Sequence, residues 1–181
     1  EARALFSNSV EKDRNRYSID LTKFGIYLTE YHKYAKQVET VYQKRANLIP
    51  NLANTVKAYT KYEEETLTKV IEARSKATQV TIDPTNMTEA DLAKFQAAQG
   101  ELSGALSRLM AVVESYPNLK ADQQFIDFQR EYTAIENSIR TETVYYNDSA
   151  KDFNTYRKSF PNNIFANFFG DFKDKPYFKA E

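Results

Sequence analysis

Few side chains in the sequence have types and spacings that could catalyse a reaction. The chain of 181 residues has one histidine, His32, and no cysteine, which excludes thiolate nucleophiles, disulfides and cysteine-based zinc sites. Di-iron helical bundles need Glu-x-x-His on two helices, whereas the residue three positions before His32 is Thr29. Gly100 and Gly104 lie inside a predicted helix, so close helix packing is their expected role. We therefore predict that the protein is not an enzyme and holds no cofactor or metal.

Acidic residues are numerous, and the densest run is Glu63–Glu65. On a long helix such a run usually forms a solvated face. A hydrolase that uses Glu63 or Glu142 would need a perturbed carboxylate beside an accessible cleft, and this is the least favoured function. The 25 basic and 25 acidic residues cancel to a net charge of zero. No overall field attracts nucleic acid, so nucleic acid is not expected as a partner.

Four polar residues occupy positions where the helical pattern places apolar side chains, namely Arg45, Glu63, Arg74 and Glu142. Burying a polar group without a partner costs about 1–3 kcal/mol, so these residues should find partners. We predict an ion pair between Arg74 and Glu142 in or beside the core, because the two lie at similar heights on parallel helices. The alternative is that each side chain extends to water.

A second polar group is predicted at one end of the same helices. It comprises Arg45, Asn51, Glu114 and Lys120. Arg45 and Glu114 should be level on neighbouring helices, and Asn51 and Lys120 belong to loops at that end. These residues form either an interaction site or a clasp that specifies the fold, and the clasp is favoured.

Long helices must position these side chains. Only four glycines and five prolines occur in the chain, too few for many short strands, and apolar residues recur at spacings of three and four. Pro50 suits the first turn of a helix, where its missing N–H costs nothing. The predicted helices are about 21–47, 50–80, 89–116 and 122–158. Their short connections predict an all-α fold, an antiparallel up-down-up-down four-helix bundle with long helices.

Local signals mark where some of these helices begin. Thr88 with Asp91 three residues later predicts a capping box at the start of the third helix. Asp122 is the predicted N-cap of the fourth. Residues 1–20 are mixed and polar, and we predict that they extend the first helix.

An aromatic tail, residues 159–181, follows the last predicted helix. Its large apolar residues are Phe160, Ile164, Phe165, Phe168, Phe169, Phe172, Tyr177 and Phe178. The favoured prediction is that they fold back and cap the open end of the bundle core. The alternative is that they lie at a bilayer interface beside Lys173, Lys175 and Lys179.

Several segments in this order resemble the LemA family. In the first half they are Arg45-Ala-Asn-Leu-Ile-Pro-Asn-Leu52, Val56, Tyr59, Glu63, Glu65-Thr-Leu67 and Ala73-Arg74. In the second half they are Leu102-Ser-Gly-Ala-Leu-Ser-Arg-Leu109, Glu114-Ser-Tyr-Pro-Asn-Leu-Lys-Ala121, Glu136-Asn137, Tyr146-Asn147, Ser159-Phe-Pro161 and Pro176-Tyr-Phe178. The match covers about residues 21–181.

The resemblance implies a bacterial, membrane-associated protein with an N-terminal transmembrane or signal-anchor segment and a four-helix domain. It brings no catalytic residue and no cofactor. Two positions depart from the family pattern, since Ala35 stands where a Trp is usual and Tyr62 where a His is usual. The family's membrane segment usually ends near the position of Leu21, whereas residues 1–20 are polar here. Together with a first residue, Glu1, that is not Met, this predicts an anchor upstream of the given chain.

We therefore expect a non-enzymatic, membrane-anchored helical bundle of the bacterial envelope. It would lie at the cell membrane, with the extracytoplasmic face favoured, and act through contacts with another envelope protein. The alternative function is a bundle that senses a small ligand held between helices near Arg45, Asn51, Glu114 and Lys120. A concave pocket lined by those groups would support this alternative.

Overall fold

A computed structural model describes residues 20–60, 64–168 and 172–179. Within these ranges the chain forms helices and no strands, which confirms the predicted all-α class. The helices are α1 Leu21–Tyr59, α2 Glu64–Gln79, α3 Glu89–Val113, α4 Pro117–Lys120, α5 Gln123–Lys158 and α6 Asn162–Phe168. The predicted helical extension over residues 1–20 lies outside the described residues, apart from Asp20. Asp20 is the N-cap of α1 and accepts a hydrogen bond from the backbone N–H of Lys23.

The first long helix passes through Pro50 without interruption. This corrects the predicted boundaries of 21–47 and 50–80, because α1 continues to Tyr59 and α2 begins only at Glu64. Proline in a helix interior removes one backbone hydrogen bond, clashes with the preceding turn and costs about 3 kcal/mol. Burial favours continuity here, since Ile49 and Leu52 on either side of the proline are each 1% exposed.

The two longest helices, α1 and α5, pack against each other over most of their length. The pairs in contact are Phe24 with Phe153, Tyr31 with Tyr146, Arg45 with Glu136, Thr55 with Gln124, and Tyr59 with Asp122. Residue numbers fall along α5 as they rise along α1, so the two helices are antiparallel.

Helices α2 and α3 pack together against the second half of α1 and the first half of α5. Their shared core is aliphatic and aromatic, and it contains Ile49, Leu52, Val56, Leu67, Val70, Leu102, Leu106, Leu109, Phe125 and Phe128. A middle core around Tyr31, Phe95 and Tyr146 follows along the bundle. A third, smaller core joins Phe24 of α1, Phe153 of α5 and Ala166 of α6. The core is therefore a row of three apolar clusters.

Both predicted helix starts are confirmed. Thr88 accepts a hydrogen bond from the backbone N–H of Asp91, and the Asp91 carboxylate accepts one from the backbone N–H of Thr88. Asp122 accepts hydrogen bonds from the backbone N–H groups of Gln124 and Phe125. Each cap satisfies backbone donors that the first helical turn leaves unpaired. Among the helices described, none is both long enough and apolar enough to cross a bilayer.

Candidate functional site

The most buried charged group on the helix faces is Arg45 of α1, whose side chain is 3% exposed. Its Nη1 donates to Oε1 of Glu136 on α5 at 3.0 Å. Its Nη2 donates to the backbone oxygen and to Oε1 of Gln99 on α3, at 2.9 and 2.8 Å. Gln99 in turn donates from Nε2 to the carbonyl oxygen of Ala77 on α2, at 3.3 Å. This polar centre, Arg45, Gln99 and Glu136, therefore joins all four of the longer helices.

The electrostatics of the polar centre are those of a partly shielded ion pair. The Glu136 side chain is 31% exposed, and the Arg45 guanidinium carbon lies 5.1 Å from the centre of the Tyr42 ring. Burial raises the pKa of Tyr132, and the charge of Glu136 raises it further while Arg45 opposes the rise. Removing one partner of such a pair leaves a buried charge uncompensated.

The polar group predicted at the bundle end is not brought together as one site. Glu114 and Lys120 form an exposed ion pair with each other, whereas Arg45 lies in the polar centre. Asn51 lines a separate groove of about 410 Å³ between α1 and α5, next to Thr55 and Gln124. The pocket expected for a small ligand therefore contains only Asn51 of the four predicted residues.

The predicted ion pair between Arg74 and Glu142 is wrong. Arg74 donates from Nε to the backbone oxygen of Ala46 at 2.8 Å, and Glu142 Oε2 is buried with no hydrogen-bond partner in the described part of the chain. The register explains the difference. Arg74 is level with Ala46 and hence with Glu136, and Glu142 lies six residues further along α5, about 9 Å along the axis.

Sequence reasoning missed Gln99 and Glu136 as members of the polar centre. Gln99 occupies an apolar stripe position between Phe95 and Leu102, so the rule that singled out Arg45 applied to it equally. Glu136 was visible only through the family resemblance. Neither partnership is encoded locally, because 54 residues separate Arg45 from Gln99 and 91 separate it from Glu136.

Of the other carboxylate and histidine candidates, His32 and Glu142 lie in the described part of the chain. Glu63 lies outside the described residues. Burial lowers the pKa of His32, the charge of Lys175 lowers it further, and Asp83 opposes both effects. In residues 20–60, 64–168 and 172–179, no cluster of three or more His, Cys, Asp or Glu side chains is arranged to hold a metal ion.

A second polar system fixes the end of the chain on the surface of the bundle. Residues 173–179 are not helical and lie against α3 and α5. Three side-chain amides each donate to and accept from the main chain of one residue of this segment: Asn154 with Lys175, Asn147 with Phe178, and Gln96 with Lys179. The Tyr146 hydroxyl donates to the carbonyl oxygen of Pro176 at 3.1 Å.

The aromatic tail thus divides between folded-back and exposed side chains. Phe178 is buried among Tyr42, Phe95 and Tyr146, and Phe172 packs on Phe24 at a ring distance of 4.8 Å. In contrast, four large side chains of the tail are exposed. Tyr177 is 44% exposed, and Phe160, Ile164 and Phe168 are 65%, 52% and 81% exposed. Phe169 lies outside the described residues.

Phe160, Ile164 and Phe168 share one end of the molecule with the start of α1. Phe165, between Ile164 and Phe168 on α6, packs on Phe24 of α1 at 6.0 Å. Leu21 and Ile26 of α1 are also more than half exposed. We call Leu21, Ile26, Phe160, Ile164 and Phe168 the apolar end surface.

The fold and these sites define an all-α protein whose long helices are joined by a buried arginine centre and a clamped C-terminal segment. Residues 34–181 match the model of the LemA family. The chain belongs to this family.

Three relatives each match only part of the chain. It is 26% identical over 129 residues to protein LemA of Metamycoplasma hominis, which covers 71% of this chain and 55% of that protein. It is 33% identical over 84 residues to magnetosome proteins MamQ 1 and MamQ 2 of Paramagnetospirillum magneticum, over 46% of this chain and 30% of each relative. The chain therefore spans about half or less of the length of these relatives.

Proposed function

We propose that this chain is the four-helix domain of a membrane-tethered envelope protein that acts through protein–protein contacts and performs no reaction. The domain is held at the outer face of the bacterial cell membrane by a segment upstream of the sequence, and its partner is another envelope protein. Family membership supports the assignment to LemA-like proteins. The observation that carries the membrane assignment is the apolar end surface.

Helix packing supports an up-down-up-down arrangement for this domain. Helices α1 and α5 are antiparallel, and α2 and α3 follow each other between them along the chain. In such an arrangement the first helix begins at the end where the last one finishes. Phe24 and Tyr156, with ring centres 4.8 Å apart, lie at that common end. An anchor that precedes α1 brings this end of the domain to the bilayer.

The chemistry of the apolar end surface suits a lipid interface. Large apolar side chains on α1 and α6 are exposed there. Lys23 of α1 is exposed as well, and Lys173 is exposed next to Phe172, which packs on Phe24. Aromatic and basic residues together settle at the boundary between headgroups and acyl chains. We therefore propose that this surface rests on the membrane and holds the long axis of the domain away from it.

The proposal of a non-enzymatic role is supported by how the charged groups are used. Arg45 is engaged with Gln99 and Glu136 across three helices, and Asn147 and Asn154 hold the C-terminal segment. These groups stabilise the domain, so its long helical faces remain as the surfaces for a partner.

Vesicle flotation tests the membrane assignment. The chain of residues 1–181 is floated with phosphatidylethanolamine and phosphatidylglycerol vesicles, beside a variant carrying F160S, I164S and F168S. A matched control carries I71S, I126S and V144S, which replace exposed apolar residues on α2 and α5. Partial burial of three large apolar side chains in lipid is worth at least about 1.5 kcal/mol, so we expect at least about tenfold weaker vesicle binding for the tail variant alone.

Equal flotation of all three proteins would remove the membrane assignment.

The partner is tested separately by crosslinking the full-length protein in native membranes and comparing the capture with that of a protein lacking residues 21–181. Protease accessibility in intact cells decides the face of the membrane, because an extracytoplasmic domain is cleaved without cell lysis.

A further inference from the structure

We propose that the groove holding residues 172–179 is a binding site for an extended peptide, and that the C-terminal segment of a second copy of this chain occupies it in exchange for the resident one. The proposal does not depend on the membrane assignment. It rests on how completely the groove recognises both the main chain and the side chains of this segment.

Recognition of the main chain comes from the three amides already described. Asn154, Asn147 and Gln96 use both the oxygen and the nitrogen of their amide groups, in six hydrogen bonds of 2.7–3.2 Å. Such paired bonds to one residue resemble the ladder contacts by which a sheet edge binds an added strand. They require an extended main chain and no particular side chain, so they supply affinity for a peptide.

Specificity comes from two side-chain sites three residues apart. Lys175 is 6% exposed, and its Nζ lies 5.3 Å from the ring centres of both Tyr31 and Phe153. Aromatic faces attract such a cation, more strongly when water is excluded. Phe178 is 4% exposed, with its ring centre 4.9 Å from that of Tyr146. The groove therefore selects an extended Lys-Pro-x-Phe sequence.

A second copy is the partner that these contacts fit, because every copy carries the matching sequence. A cavity of about 430 Å³ also lies beside the resident segment, where Phe178 and Lys179 border it together with Glu136, Arg140 and Thr143. Thr143 Oγ1 is buried there without a hydrogen-bond partner among the residues that the structure describes. This space gives an incoming segment a place to bind first. The resident segment has the advantage of a high effective concentration, so exchange increases with protein concentration.

Peptide binding to full-length variants tests the proposal. A fluorescent peptide of residues 172–181 is titrated into wild type, into F178A, which weakens the resident segment, and into F178A combined with N147A, which also weakens the groove. We expect F178A to bind the peptide at least about tenfold more tightly than wild type, and the double variant to lose that gain. A peptide that itself carries F178A should bind none of the three proteins measurably.

A purely structural role for the segment predicts a different result. F178A would then bind the peptide no better than wild type, and this outcome overturns the proposal. K175A serves as a second variant of the resident segment, with circular dichroism to monitor folding. If both F178A and K175A unfold the chain, the segment is an integral part of the core and the proposal fails.

Size-exclusion chromatography of wild type should give a dimer fraction that rises with concentration. A chain that stays monomeric contradicts exchange between copies, even if the peptide binds.

Discussion

Arg74 donates from Nε to the carbonyl oxygen of Ala46 at 2.8 Å, in place of the hydrogen bond that Pro50 cannot make. In an unbroken helix that oxygen accepts from the backbone N–H four residues later, and residue 50 has none. A side chain from α2 thus completes the backbone bonding of α1. This contact reduces the cost of a proline inside a 39-residue helix.

The first prediction concerns this replacement hydrogen bond. R74A should lower the free energy of unfolding by about 1–3 kcal/mol, because a buried carbonyl loses its donor. In a P50A background the same substitution should cost less, since the substituted alanine supplies the missing backbone N–H. A double-mutant cycle measured by urea unfolding checks this, with R108A as the control for loss of an exposed arginine on α3. An equal cost of R74A in both backgrounds would show that the contact does not compensate for the proline.

The second prediction concerns the polar centre. R45A should destabilise the fold by about 3–5 kcal/mol, because it leaves Glu136 half-buried without its partner and Gln99 Oε1 without its donor. R45M keeps most of the side-chain volume, so it should lower the free energy of unfolding less than R45A does. R45M combined with E136Q should lower it less still. Urea unfolding at neutral pH measures these values, and E131Q on the exposed face of α5 is the control. A cost of R45A below about 1 kcal/mol would mean that the centre contributes little to stability.

The third prediction concerns alkaline pH. Burial raises the pKa of Tyr146 far above its ordinary value, and the charge and hydrogen bond of Tyr31 raise it further. The unfolded chain then loses the phenolic proton at lower pH than the folded chain. The stabilisation is complete below about pH 10 and is lost as the pH rises further.

The urea midpoint of wild type should therefore fall as the pH is raised from about 8 to about 11. The fall should be smaller in Y146F than in wild type. That variant also loses hydrogen bonds to Tyr31 and to Pro176, so its free energy of unfolding at neutral pH should be lower by about 1 kcal/mol. Y145F, an exposed tyrosine on the same helix, is the matched control. An unchanged alkaline slope in Y146F would exclude Tyr146 as a source of the effect.

The fourth prediction concerns the start of α3. T88A removes the side-chain oxygen that accepts from the backbone N–H of Asp91, and it should cost about 1 kcal/mol. T85A, an exposed loop threonine three residues earlier, should leave stability within about 0.5 kcal/mol of wild type. Thermal unfolding of the three proteins compares these values. Equal melting temperatures for T88A and T85A would show that the cap is dispensable.

Interactions over a few residues were readable from the sequence alone. The buried residues of α3, from Leu92 to Val113, recur at the spacings of three and four seen in the sequence, because helical geometry places such residues on one face. The caps at Thr88 and Asp122 were predicted for the same reason. The side chain and the backbone groups that it satisfies lie within three residues of each other.

Contacts between residues far apart in the sequence were decided by tertiary packing. Arg74, 24 residues from Pro50, donates to the oxygen that the proline leaves open, and Arg45 is paired by residues 54 and 91 positions away. The C-terminal segment is held by amides on α3 and α5, which no pattern within the segment specifies. Sequence periodicity determines which face of each helix is buried. Which residues meet across those faces depends on the axial register between helices, and the packing of the whole core sets that register.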